Sequence, residues 1–227
     1  MGAKVSDTGR ARRLRILISA GATREPIDAV RFLSNYSTGY MGAQLAAEAL
    51  RRGHRVTVVS GYAQEPMPPS ARLIRADDAR RMDAAMRRHA AAADVVIMAA
   101  AVSDFRPARQ RRGKLPRRTR VTLDLEATPD IIARLPRSPG QVRVGFAVER
   151  GAVLPRARRK LREKRLDLLL AQRLNGHGEP FGRGRVSAWL VSRDGAPRRL
   201  GRISKPEAAR RILDKAEALW YGQRRLK

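Results

Sequence analysis

Short apolar runs alternate with longer segments of helical character along most of the chain. Residues 14–20 (LRILISA) are apolar at nearly every position and too few for a stable helix, which predicts a buried strand closed by Gly21. Residues 41–52 (MGAQLAAEALRR) carry alanine and leucine without a β-branched interruption, which predicts a helix, and Gly53 supplies its stop. Residues 55–60 (RVTVVS) read as the next strand, so strand, crossover helix and strand follow in the order of a right-handed parallel unit. The alternation repeats with a helix over 77–92, an apolar strand over 94–100, a short helix over 130–135 and a strand over 142–147. A basic helix over 154–165 leads into a strand over 166–171. Then the rhythm changes, with a strand over 186–191 (VSAWLV), a turn at Asp194-Gly195 and a helix from Pro206 to about Leu219. This order predicts a three-layer, Rossmann-like α/β fold: a mostly parallel sheet with an antiparallel edge. It places one domain over 14–221, between a flexible basic leader at 1–13 and a basic tail at 222–227. Residues 106–120 are basic, contain proline and glycine and lack periodicity, so a flexible loop is expected there.

Composition changes this picture in three ways. The 227 residues are 43% hydrophobic, too apolar for a disordered chain despite a formal net charge of +28. The charge comes from 49 basic against 21 acidic residues, and only seven of the basic residues are lysine. Arginines are spread along the whole chain, with few aromatics and no aromatic–basic cluster to stack bases. Non-specific contact with RNA is compatible with that, while dedicated nucleic-acid recognition is disfavoured. The absence of cysteine excludes disulfides and thiolate chemistry and fits a reducing compartment. No apolar run approaches the roughly 18 to 20 residues needed to span a bilayer, so no membrane association and a cytoplasmic location are expected.

In an open parallel sheet, ligands bind beyond the carboxyl ends of the strands. About twenty residues follow the first strand before the helix resumes, against roughly 2 to 6 in an ordinary connection. This loop ends in Ser37-Thr38-Gly39, which brings small residues and backbone amides to a helix N-terminus and would suit a phosphate. The segment has neither the G-x-G-x-x-G spacing of a dinucleotide site nor the G-K-[ST] of a P-loop. Gly39 and Gly42 are equally explained by a turn and a close helix-to-sheet contact.

The same loop, ISAGATREPIDAVRFLSNYSTGYMG, resembles the opening signature of phosphopantothenoylcysteine synthetases, the phosphopantothenate–cysteine ligases of coenzyme A biosynthesis. The likeness continues at MAAAVSDFRP (98–107), the basic loop holding Lys114, TPDI (128–131), VGFAVE (144–149) and KLREKRLDLLLA (160–171), in order and at fitting spacing. Many bacteria fuse this ligase behind a flavin-dependent decarboxylase. The resemblance implies the synthetase half alone, without flavin and with a decarboxylase as a separate partner. It further implies a two-step ligation of 4′-phosphopantothenate and L-cysteine through an acyl-nucleotide, with Mg2+ and with CTP, or alternatively ATP, as the nucleoside triphosphate.

By that resemblance Asn35 and Arg31 flank the substrate carboxyl and the acyl intermediate. Arg31 can meet a carboxylate or phosphate with two parallel hydrogen bonds. Asn35 can donate a hydrogen bond without taking a proton. The alternatives are a turn cap at Asn35 and one solvated arginine among many at Arg31. Lys114 matches the catalytic lysine of the family, on a loop that would close over the triphosphate. Lys160 and Lys164, four apart on one helix face, match triphosphate-contacting lysines, or else form a solvated face. Asp104 is expected to contact the nucleotide together with backbone at Met98, Ala99 and Ala100, the alternatives being an N-cap or a surface ion pair. Thr128, Pro129, Asp130, Ile131 and Phe146 are expected to wall the base and ribose.

Relatives carry Gly-Gly where Gly21-Ala22 stands and a basic residue at Tyr40. Their lysine loop reads Lys-x-Lys-Lys where this chain has Lys114-Leu115-Pro116-Arg117, and Thr128 replaces an asparagine. The segment Phe181-Gly182-Arg183 lacks the Asp and Asn expected after Phe-Gly. The resemblance also implies a homodimer in which both subunits build the active-site region. The competing readings are a degenerate relative that binds nucleotide without ligating, and a basic nucleic-acid-binding protein. A Rossmann-type oxidoreductase is disfavoured, because the second strand ends in Ser60-Gly61-Tyr62 rather than in an acidic residue.

Overall fold

The computed structural model describes residues 12–176 and 180–225. Strand β1 (Arg15–Ala20) leads through a two-stranded arm, β2 (Arg24–Pro26) and β3 (Phe32–Ser34), into helix α1 (Tyr40–Arg51). Strands β4 (Arg55–Ser60) and β5 (Arg72–Arg75) follow, then α2 (Ala79–Ala90) and β6 (Val95–Met98). A second arm of β7 (Phe105–Pro107) and β8 (Leu125–Ala127) precedes α3 (Ile131–Arg134), β9 (Val142–Glu149), α4 (Val153–Glu163) and β10 (Leu168–Arg173). The chain ends its fold with β11 (Val186–Ser192), β12 (Arg198–Ile203) and α5 (Lys205–Arg225).

The eight-stranded sheet has the order β12-β11-β10-β9-β6-β1-β4-β5. Pairing from β10 across to β5 is parallel, and β11 and β12 add an antiparallel edge, as the strand and helix order predicts. Adjacent residues of a strand face opposite sides, so β1 sends Ile16 and Ile18 into one core and Leu17 into the other. The first core holds α1 and α5 through Leu45, Ile212, Leu213 and Trp220. The second holds α2 and α4 through Met82, Met86 and Leu161. Burial on both faces is what makes the central strands read as continuous apolar runs.

Several elements depart from the sequence expectation. β5 and β12 are edge strands with exposed arginines (Arg72, Arg75, Arg198, Arg199), so neither carries a hydrophobic run. The segment 106–120, expected as a flexible loop, begins in β7 and is held further along, where the Arg111 amide donates to the Ile27 carbonyl at 3.1 Å. Helix α5 extends past Leu219, so residues 222–225 of the expected basic tail continue it. The rest of that tail and all but the end of the expected leader lie outside the described residues.

A charged clamp ties α5 to α1. Arg52 reaches Glu48, Asp214 and Glu217 at 2.8 to 3.0 Å, and the buried His54 ring sits between Glu217 and the Leu14 amide. Hydrogen bonds from Arg51 and then Arg52 hold the Glu48 carboxyl at about 2, from an ordinary 4.5. A depressed folded value means that this stabilisation is complete above pH 4.5 and drains away as acid protonates the folded carboxylate toward pH 2. Glu48→Gln should therefore flatten the acid decline of the urea midpoint in that interval; an unaltered decline would assign it to other carboxylates.

Candidate active site

A cleft of about 440 Å³ crosses the carboxyl ends of the central parallel strands, within the size range of small-molecule sites. The long loop that leads to its rim starts at Gly21, where the chain turns with φ +76°. The Ala22 amide donates to the Tyr62 carbonyl and the Tyr62 amide returns a bond to Ala22, both at 2.8 Å. Ser34 Oγ donates to the Thr23 carbonyl at 2.7 Å, which folds the β2–β3 arm back along the rim. The next residue, Asn35, donates through Nδ2 to the Ala101 carbonyl at 3.1 Å. Its carboxamide is thereby tied to the loop after β6 rather than capping its own turn.

Ser37, Thr38 and Gly39 line the cleft at the start of α1. Gly39 is the N-cap in the left-handed region and has no side chain to cap the helix, the Tyr40 amide makes only a long bond to Thr38 Oγ1 at 3.4 Å, and no acid occupies the first turn. The amides that follow Tyr40, and the positive end of α1, are thus left without a counter-charge. Gly42 serves the alternative purpose: a Cβ there would lie 2.4 Å from that of Ala20, so α1 rests directly on β1. Turn, close contact and open helix terminus coexist.

Met98, Ala99 and Ala100 continue the lining at the end of β6, where the Ala100 amide donates to Ser19 Oγ at 3.1 Å. Asp104, Thr128, Pro129, Asp130, Ile131 and Phe146 also line the cleft. The Thr128 amide donates to the Asp104 carbonyl at 2.9 Å, which staples the base of the β7–β8 arm. Asp104 is exposed, starts no helix and makes no ion pair among the described residues. Asp130 caps α3 and pairs with Lys164 Nζ at 3.1 Å. Lys160 and Lys164 both face the cleft, while Arg158, Arg159 and Arg162 lie on the exposed side of α4. Burial, then the Lys164 charge, pushes the Lys160 ammonium below its ordinary value, against the pull of Glu149, Asp104 and Asp130.

Two expected residues do not join this lining. Arg31 Nη1 donates to Asp28 Oδ2 at 2.7 Å and to the Leu115 carbonyl at 3.2 Å. Arg31 is exposed, and through Nη1 it acts as a clamp on the basic loop. Lys114 stands just before that clamped residue and is exposed. Conversely, Gln172, Phe181 and Lys205 line the cleft without having been singled out as site residues. Lys205 is only 5% exposed, and burial pushes its ammonium down to about 8. The scarcity of lysine in so basic a chain is the signal that could have found Lys205.

A mostly parallel sheet with helices on both faces, and a cleft across its strand ends that gathers a helix N-terminus and lysines, defines a doubly wound α/β protein with a cationic cleft. Its sequence identifies it further. The chain belongs to the DNA/pantothenate metabolism flavoprotein C-terminal domain family, whose model matches residues 11–219. It is 37% identical over 214 residues to the coenzyme A biosynthesis bifunctional protein CoaBC of Mycobacterium tuberculosis, covering 88% of this chain and 51% of the relative. The CoaBC protein of Bacillus subtilis is 37% identical over 207 residues, covering 90% and 51%. The chain thus spans about half the length of the curated relatives it matches. A crystal structure of a CoaBC C-terminal domain is similar at a TM-score of 0.76 and 33% identity, covering 93% of this chain and all of that one.

Proposed function

We propose that this chain is a phosphopantothenate–cysteine ligase that works through an acyl-nucleotide, with CTP as the nucleotide and ATP as the alternative. One observation carries the reading: Asn35, Ser37 to Gly39, Asp104, Thr128 to Ile131, Phe146, Lys160 and Lys164, scattered over more than half the sequence, line a single cleft.

In the first step a carboxylate oxygen of 4′-phosphopantothenate attacks the α-phosphorus. The bond from that phosphorus to the bridging oxygen breaks, and pyrophosphate leaves. In the second the cysteine amine attacks the acyl carbon, CMP departs, the nitrogen loses a proton and the amide forms. Such transfers depend on positioning and on neutralising charge more than on a covalent partner. The open amides at the head of α1 receive phosphate oxygens, and Lys160 and Lys164 add cationic charge. Asn35 holds the acyl oxygen through an amide that takes no proton. The pair Thr128 and Phe146 borders the base and ribose.

No group of three or more acidic or histidine side chains gathers into a metal site among the described residues. Magnesium with nucleotides is held by phosphate oxygens and one or two carboxylates, a demand that the unpaired Asp104 fits. Mg2+ would supply charge neutralisation on the triphosphate. A homodimer and a cytoplasmic location belong to the same proposal; for the membrane, no helix among the described residues is long and apolar enough to cross one.

Purified protein incubated with Mg2+, 4′-phosphopantothenate, cysteine and either nucleotide should release pyrophosphate and yield the amide by mass. Asn35→Ala should accumulate acyl-nucleotide, and Lys114→Ala should slow pyrophosphate release. No turnover with either nucleotide, together with tight salt-sensitive RNA binding, would replace this reading with a nucleic-acid one; equal product from both variants would reject the two roles.

A further inference from the structure

Lys205 is the first residue of α5, which packs beside α1 on one face of the sheet, whereas Lys160 and Lys164 reach the cleft from α4 and the residue that ends it on the other. Its side chain is nearly enclosed yet lines the cleft. No carboxylate pairs with it, and no hydrogen-bond partner meets it, among the described residues. An enclosed ammonium without a counter-charge is unfavourable, and protein interiors supply a partner or exclude the group. Here neither has happened. The open N-terminus of α1 borders the same cleft through Ser37 to Tyr40, likewise uncompensated by any first-turn acid. The two features come from different elements, carry the same sign and share one space.

We propose that Lys205 is a phosphate-binding residue, which closes with the head of α1 around a phosphoryl group of one of the two phosphorylated substrates. Those sources are the triphosphate tail of the nucleotide and the 4′-phosphate of phosphopantothenate. The identity of the ligands rests on the ligase reading above; the anion site itself does not. A phosphate oxygen supplies the counter-charge that the fold withholds, and the rest of a long substrate runs across the strand ends toward Lys160 and Lys164.

The test compares wild type with Lys205→Met, which keeps the length of the side chain and removes the charge. Calorimetric titrations with magnesium pyrophosphate, CTP and 4′-phosphopantothenate should show a loss of about 10- to 100-fold for at least one of them, the worth of a charge-assisted hydrogen bond. Loss for pyrophosphate and CTP assigns the nucleotide tail; loss for phosphopantothenate alone assigns its phosphate. Unchanged affinity for all three overturns the proposal. Acetic anhydride labelling of wild type, read by peptide mass, needs no variant: saturating ligand should shield Lys205, and continued acetylation under saturation overturns the proposal as well. A wild-type chain that binds pyrophosphate through Lys205 but forms no amide would sink the ligase reading and leave this site standing. A wild-type chain that ligates, with Lys205→Met matching it in every titration, would do the reverse.

Discussion

Asp28→Ala should leave the sheet folded and slow pyrophosphate release on the order of a hundredfold, the scale of a misplacement of about 1 Å at a reacting centre. The Asp28 carboxylate is enclosed and accepts four donors. Its Oδ1 takes the Val30 and Arg31 amides at 2.8 Å each, and its Oδ2 takes Arg31 Nη1 at 2.7 Å and the Leu115 amide at 3.0 Å. Arg31 also grips the Leu115 carbonyl. Leu115 is therefore held at both its N–H and its C=O, next to Lys114. Removing the carboxylate releases that anchor and leaves Arg31 without its partner, so the lysine loses its approach while the cores stay intact. Asp28→Asn keeps one acceptor and should fall between the two. The Leu115 amide, followed by that of Val30, holds the Asp28 carboxyl below the usual range. The clamp is therefore complete above the ordinary carboxylate value and opens as pH falls through the lowered folded one. Pyrophosphate release beside melting curves checks this, and wild-type rates in Asp28→Ala would reduce the clamp to a structural one.

Gly21→Ala should lower the unfolding free energy by about 3 kcal/mol or more, combining strain at positive φ with overpacking. A Cβ at Gly21 would stand 2.4 Å from the Tyr62 carbonyl oxygen and 2.9 Å from its carbon, both backbone atoms. Neither can retreat without breaking the paired bonds between Ala22 and Tyr62 that seat the long loop on the end of β4. Gly61 faces the same constraint from the other side, with a Cβ 2.3 Å from the Ala22 oxygen. At roughly 2 to 4 °C per kcal/mol for a chain of this size, melting should drop by about 6 °C or more. A shift below about 2 °C would contradict so close an approach. The crowding falls on Gly21 and Gly61, and Ala22 beside them is buried.

The central strands were legible because burial on both faces writes itself as an unbroken apolar run, and α1 because alanine and leucine favour helix at every turn. The edge strands β5 and β12 and the three-residue strands of the two arms were not. Their pairing satisfies backbone groups of distant segments and asks little of their side chains. In the cleft, helix-terminus reasoning marked the Ser37 to Gly39 segment, and motif resemblance marked Asn35, Asp104, Lys160 and Lys164. The resemblance could not show that Arg31 also holds Asp28 and Leu115.

The amino-acid order by itself determined the layers of this protein, its strand-to-helix alternation and the loops in which ligand-binding residues stand, since periodicity and propensity act over a few neighbouring positions. Only the tertiary structure decided which charges are spoken for. Arg31 pairs with Asp28 close by and also reaches a carbonyl on a loop 84 residues away, and Lys205 is brought into the cleft without a partner. A side chain's pairing and burial depend on what the folded chain sets beside it, which no local stretch of sequence contains.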